Sequence, residues 1–294
     1  MIYNLGSINA DHVYRLARLP APGETLAART YSVGLGGKGA NQSVAIARAG
    51  GLVRHIGAIG PDGRWMADRL AAAGAECAFV AEVDLASGHA IINVDDAGEN
   101  AIVIYPGANR ALDVDHVKQA LGQAGAGDTL ILQNETACQV EAACFAREQG
   151  LFTVYSAAPF EAEAVRAVLP YLSLLIVNEV EAAQLCSELS VTLVDLPVEN
   201  VLVTLGAKGA VWYNTARDHE IRVAGFPVKA VDTTGAGDTY AGYLVAGLSE
   251  GLAVKEAMRL AGAAAAVKVT RPGAADVIPT RAEVSDFLAD QPSE

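Results

Sequence analysis

Cysteine is scarce, with four in 294 residues, and Cys77, Cys138, Cys144 and Cys186 form no CxxC pair. Neither a zinc site nor a disulfide framework is expected, and buried free thiols are the ordinary state. Charge is also thin, at 19% of residues against 52% hydrophobic, which leaves ample apolar surface for a large core and excludes a disordered chain. Basic residues are outnumbered 21 to 34, for a formal charge of −13. Such a surface repels phosphate backbones and anionic headgroups, so neither nucleic acid nor a membrane is an expected partner. An anionic substrate would need a local basic group or a metal. With 11 prolines to 29 glycines, tight turns are expected rather than Pro-rich linkers. No basic start precedes an apolar run at the N-terminus, where Asp11 arrives early, so no signal peptide is expected and a cytoplasmic location is. The most apolar late stretch, residues 257–269, is broken by Arg259 and Lys268 and falls short of the roughly 18 apolar residues of a membrane span.

What the sequence does contain is an alternation of strands and helices, the pattern of a mostly parallel sheet covered on both faces. Apolar runs at Thr129–Leu132, Phe152–Tyr155, Leu174–Val177 and Val201–Leu205 read as buried central strands. Helices are expected over Lys38–Ala49, Asp62–Ala73, Val114–Gln123, Val140–Glu148 and Glu179–Glu188, most of them closed by a glycine cap. The stretch His89–Tyr105 breaks the alternation, because two apolar strands flank the polar turn Asp95–Asn100, and it reads as a hairpin. Segments Val13–Leu16 and Thr25–Val33 are expected to pair with it in a small, mostly antiparallel sheet, a natural lid for excluding water.

Two glycine-rich motifs carry the chemistry. In GLGGKGANQ, Gly34, Gly36 and Gly39 have GxGxxG spacing before a helix, which raises an NAD site with Asp62 as the acidic residue about 20 positions on. A close-packing glycine turn is the plain alternative. A third reading uses Lys38 and Asn41 beside glycine NH groups to hydrogen-bond a polyhydroxylated ligand. Walker spacing fails, because Gly39 follows Lys38. In VDTTGAGDTYAGYL, a glycine turn opens a helix, and the NH groups of Gly235, Ala236 and Gly237 could hold an oxyanion or a phosphoryl group in transfer. Asp238, in the first turn, has the position of a base that takes a proton from an attacking hydroxyl.

With GSINAD near the start, GGKGAN thirty residues on and DTTGAGD in the last quarter, the chain resembles the ribokinase (PfkB) family of sugar kinases over essentially its whole length, and the ribokinase branch more than the fructokinase or adenosine kinase branches. The resemblance implies a three-layer α/β/α sandwich forming a single kinase domain, 1–294, with a β-sheet lid from segments 11–33 and 88–106, often dimerised through the lid. It implies ATP-dependent phosphorylation of a primary hydroxyl of a pentose, D-ribose at O5, with another sugar or a nucleoside as the alternative within the family. An NAD-dependent oxidoreductase and a catalytically idle sugar-binding regulator stand as readings from other classes.

Residue by residue, the resemblance assigns sugar binding to Asn9, Asp11, Gly37, Lys38, Asn41 and Glu135, and the base to Asp238. Asn178 in NEVE, Thr204, Gly206, Lys208 and Gly209 in TLGAKG, and Gly237 would face ATP. Glu181 would help to hold Mg²⁺ through water. A K⁺ ion is implied between two loops, bound by Asp232 and the carbonyls of Thr234, Lys268, Arg271 and Gly273. The sequence departs from the family pattern at three points. Ser156 replaces an asparagine, Gly262 replaces a polar residue near the adenine, and Val277 replaces a serine of the cation loop.

Overall fold

Leu174 and Ile176 enter one apolar layer while Leu175 and Val177, between and after them, enter a second. A strand with both faces apolar is the interior of a sheet covered on both sides. The structure is a computed structural model that describes residues 1–217 and 219–291; residues 218 and 292–294 of the expected 1–294 domain lie outside them. The first half of the chain runs β1 (Ile2–Leu5), β2 (Asn9–Arg15), β3 (Thr30–Gly36), α1 (Lys38–Arg48), β4 (Val53–Ile59), α2 (Arg64–Ala72), β5 (Glu76–Glu82), β6 (Gly88–Val94), β7 (Asn100–Tyr105), α3 (Val114–Leu121) and β8 (Thr129–Gln133). The second runs α4 (Gln139–Glu148), β9 (Phe152–Ser156), α5 (Ala162–Val168), β10 (Leu174–Asn178), α6 (Glu179–Leu189), β11 (Asn200–Thr204), β12 (Ala210–Asn214), β13 (His219–Val223), α7 (Ala236–Ser249), α8 (Val254–Val269) and α9 (Arg281–Ala289).

The main sheet has nine strands in the order β13-β12-β11-β10-β9-β8-β1-β4-β5. It is parallel from β5 to β11, and β12 and β13 turn back antiparallel. Helices α1, α2, α7, α8 and α9 cover one face through side chains such as Val44, Leu70, Leu244, Met258 and Val284. Helices α3 to α6 cover the other through Val117, Ala142, Val165 and Leu185. This is the expected three-layer sandwich. On one side of β1 the order climbs to β4, on the other to β8, so the crevice at the carboxyl ends of β1 and β8 is a topological switch point, where open α/β sheets bind ligands.

The second sheet runs β3-β2-β6-β7. Its outer pairs are antiparallel and its central pair, β2 with β6, is parallel, with Asn9 opposite Gly88 and Arg15 opposite Val94. The lid strands are therefore found, with shifted bounds. β2 begins at Asn9, because it continues directly from the site loop, and β3 begins at Thr30 rather than Thr25. Asp62 precedes α2 instead of opening it and pins the lid's base, accepting from the backbone NH and the hydroxyl of Ser87, each at 2.9 Å. Left-handed glycines follow α1, α2 and α4 at Gly50, Gly74 and Gly150. After α6 that conformation falls to Ser190, and Gly122 after α3 stays right-handed.

Candidate active site

The loop after β1 and the first turn of α1 are in backbone contact, since a Cβ on Gly6 would lie 2.5 Å from the Gly39 Cα. This close approach lets Ser7 act at the switch point. Its carbonyl accepts from Ala40 N at 2.8 Å, its hydroxyl accepts from Gly39 N at 3.2 Å, and the same hydroxyl donates to Glu135, which follows β8. Glu135 also accepts from the backbone NH of Lys38 at 3.0 Å. Gly37 caps α1 at φ 89°, a left-handed conformation for which glycine is the default residue. The motif glycines Gly34 and Gly36 lie in β3 of the lid, not in the first βα turn of the main sheet, so the dinucleotide reading fails on topology. Gly36 instead makes room for a carboxylate, as a Cβ there would fall 2.1 Å from Asp11 Oδ2.

The structure brings the sugar-side residues into one charged cluster. Asp238 foremost, then Glu135, Glu181 and Asp11, hold the Lys38 ammonium above its ordinary range against the opposing effect of burial. Burial, and then the charges of Glu135 and Asp238, push the Asp11 carboxyl up to about 7, with Lys38 working the other way. Asn9 is buried, and its side-chain oxygen accepts from Asn109 Nδ2 at 2.7 Å. Asn109 in turn accepts from Ile8 N at 2.9 Å and so anchors the loop.

Asp238 lies in the first turn of α7 and is 8% exposed. Asn41 Nδ2 donates to one of its oxygens at 3.0 Å and Gln42 Nε2 to the other at 3.1 Å. The Asn41 Oδ1 is buried and has no hydrogen-bond donor among the described residues. Gly235 caps the helix at φ 70°. The NH of Ala236 is turned onto the Thr233 carbonyl at 3.1 Å, so of the three amides expected there, those of Gly235 and Gly237 have no backbone partner among the described residues. A Cβ on Gly237 would meet nothing within 4 Å, which marks open space at the positive end of the helix.

Among the residues expected on the nucleotide side, Asn178 ends β10 and caps α6, accepting from Val180 N and Glu181 N at 2.9 Å each, while Glu181 accepts from Asn178 N at 2.8 Å. Burial raises the Glu181 carboxyl, against that backbone bond and Lys38. Thr204 closes β11, and Gly206 and Lys208 follow in an exposed turn, with Lys208 Nζ 3.6 Å from Glu179. Gly209, at φ 102°, sits where a Cβ would strike the Val223 carbonyl at 2.0 Å.

In the expected cation loops, Asp232 accepts from Thr234 N and Gly273 N at 2.9 Å each. Burial works against this carboxylate, but those NH groups, the Thr234 side chain and the Lys268 charge together hold its pKa below the ordinary value. Arg271 pairs with Glu283 at 2.6 Å. The Lys268 side chain is fully buried and turns its ammonium to the Asp232 carbonyl, 3.0 Å away.

Residues 1–281 match the pfkB family carbohydrate kinases. The chain belongs to that family. A ribokinase of Haemophilus influenzae is 39% identical over 97% of either chain. Among solved structures, ribokinase from Cryptococcus neoformans in complex with ADP has a TM-score of 0.86 and 31% identity, covering 97% of this chain and 98% of that one. Arabidopsis thaliana ribokinase complexed with ribose and ATP has a TM-score of 0.85 and 28% identity over 99% of both. The structure also sets Ser7, Gln42 and Asn109, none singled out from the sequence, in hydrogen bonds to Glu135, Asp238 and Asn9 of the expected site. Gln42 carried a signal, as a long polar side chain three and four residues before Ala45 and Ile46, with which it shares a buried face of the helix.

Proposed function

We propose that this kinase transfers the γ-phosphoryl group of ATP to O5 of D-ribose. The observation that carries the reading is the Asp238 carboxylate, fixed by Asn41 and Gln42 at the open N-terminus of α7 and facing the Lys38, Asp11 and Glu135 cluster. Asp11, Glu135, Asn9 and Asn41 offer carboxylate and amide groups to hydroxyls, and Lys38 donates. In the transfer, the acceptor hydroxyl gives its proton to Asp238 as its oxygen bonds to the γ-phosphorus and the bond to the ADP oxygen breaks. The NH groups of Gly235 and Gly237, at the positive helix end, stabilise the charge on the transferring group without reorganisation. Lys208, Thr204, Gly206 and Gly209 line the nucleotide side with Asn178.

Glu181 fits Mg²⁺ as a half-buried carboxylate at the cluster's edge, holding the ion through water, since Mg²⁺ retains several waters and takes one or two carboxylates. When bound, the ion neutralises phosphate charge. A second copy of this chain covering the lid is the partner we propose, because Ile102, Val103 and Ile104 on edge strand β7 are each at least half exposed and such an edge invites pairing. ATP use places the enzyme in the cytoplasm in this reading, and no helix among the described residues is long and apolar enough to cross a membrane.

A coupled ADP-release assay over pentoses, hexoses and nucleosides tests the substrate, with D-ribose expected to give the highest kcat/KM. A preference for 2-deoxyribose, fructose or a nucleoside would assign the other branch of the family.

A further inference from the structure

Asp232 is a clamp between two loops. Its carboxylate takes the NH groups of Thr234 and Gly273, and its own NH donates to the Val269 carbonyl at 3.1 Å, at the end of α8. Three residues on, Gly235 caps α7, so this clamp sets where the amides of Gly235 and Gly237 point. The side chain seated on the clamp is Lys268, at 0% exposure, with Nζ on the Asp232 carbonyl. A lysine is almost never fully buried without a partner, and here the ammonium donates to a backbone oxygen at the foot of the anion hole, with the Asp232 and Asp238 carboxylates offsetting part of its burial.

The residues present do not fit the implied K⁺ ion. A fixed positive charge already stands at the Asp232 carbonyl and would repel a second one. Both Asp232 oxygens accept NH groups, and the Lys268 carbonyl, an expected ligand, accepts from Arg271 N at 3.0 Å. Val277 presents methyls 3.7 Å from where a Cβ on Gly273 would lie, in place of an oxygen.

We propose that the Lys268 ammonium is a tethered replacement for a monovalent cation, a positioning residue that holds the turn 232–237 and makes phosphoryl transfer independent of added K⁺. The proposal rests on the kinase reading above. It is tested with the purified enzyme at constant ionic strength in KCl or in tetramethylammonium chloride, following turnover and, separately, melting temperature. The wild-type enzyme gives the same turnover, within about twofold, and the same melting temperature in both salts. Lys268→Ala empties the position, so its turnover drops about tenfold or more in tetramethylammonium and is restored saturably by KCl or NH₄Cl, which also raise its melting temperature. Lys268→Met fills the space without charge and stays slow in both salts. Several-fold activation of the wild-type enzyme by KCl overturns the proposal, as does a folded Lys268→Ala that is equally active, or equally slow, in the two salts. If neither variant folds, the wild-type comparison still decides. If no sugar is phosphorylated, the melting-temperature arms still test the site while the kinase reading fails on its own assay.

Discussion

Gln42 Nε2 donates to Oδ1 of Asp238 at 3.1 Å from the far end of a buried amide chain. Gln133 Nε2 donates both to Gln42 Oε1 and to Asn4 Oδ1 at 2.8 Å, and Asn4 Nδ2 donates to Ser43 Oγ at 2.8 Å. Ser43 lies 2.9 Å from His55 Nδ1, and His55 Nε2 lies 3.0 Å from the Gly6 carbonyl. That carbonyl can only accept, so Nε2 carries the proton and Nδ1 accepts from Ser43. Burial lowers His55 to about 4, which keeps it neutral and preserves the direction of every bond. The Asp238 carboxylate, the proposed base, is thus oriented by the core of the sandwich, not only by its neighbours in the cleft.

Gln42→Leu tests that orientation. It keeps the bulk but removes the donor to Asp238 and strands Gln133, so stability should fall by about 1–3 kcal/mol. Turnover should fall about tenfold with KM for sugar nearly unchanged, since the lost contact acts on the base rather than on substrate. Urea melts and steady-state kinetics read the two effects, and an unchanged kcat would show that Asn41 alone suffices.

Asp238→Asn retains size and much of the hydrogen bonding but cannot accept the hydroxyl proton. Turnover should fall about 100-fold or more, with sugar affinity, measured by calorimetry, changed far less. Near wild-type turnover would remove Asp238 from the base role.

Two groups, the half-buried Asp11 and the fully buried His55, give opposite pH dependences. Asp11, raised from 3.8 to about 7, contributes stability that is full below pH 4 and is lost as pH rises through 7. His55, lowered from 6.5 to about 4, contributes stability that is full above 6.5 and is lost as pH falls through 4. Asp11→Asn should therefore melt higher than the wild-type enzyme at pH 8 and no differently at pH 4. If Asp11 binds sugar as proposed, hydroxyls donate to its ionised form, and sugar KM should fall between pH 6 and pH 8 in the wild-type enzyme and be flat in the variant. Parallel KM profiles would take Asp11 out of sugar binding.

The main-sheet strands were legible because both faces are apolar: Leu130, Ile131 and Leu132 divide between two cores, and any window over them reads as buried strand. The lid hairpin was legible from its polar turn. Asn4 and Gln133 were not, because each is a polar residue within an apolar strand whose partners come from segments 35 to 129 residues away. Lys268 was legible only as a charge interrupting an apolar run. Its target, Asp232, lies 36 residues earlier, and nothing local says that the side chain turns inward. The motif glycines declared their turns, but which amide of the 235–237 turn stays unpaired depends on the Thr233 carbonyl, a detail of one φ/ψ pair.

The exposed edge of the lid predicts self-association. Val103 is 66% exposed on β7, where a charge would be solvated in the monomer but opposed by a matching copy in a dimer. Sedimentation at micromolar concentration should give a dimer for the wild-type enzyme and a monomer for Val103→Asp. A wild-type monomer would refute the lid interface.

Gly237→Ala separates a ligand role for the α7 N-terminus from a folding role. The position has ordinary backbone angles and nothing within 4 Å of an added Cβ, so the substitution is free of strain and should stabilise the protein by about 0.4–1 kcal/mol through the unfolded chain. If the transferring phosphoryl group approaches the Gly235 and Gly237 amides through that open space, the added methyl crowds it. Turnover should therefore fall about tenfold or more and KM for ATP rise, while the melting temperature holds or increases. A variant that is both stable and fully active would mean that no anion is bound at this helix end, and the proposed role of the Gly235 and Gly237 amides would fall.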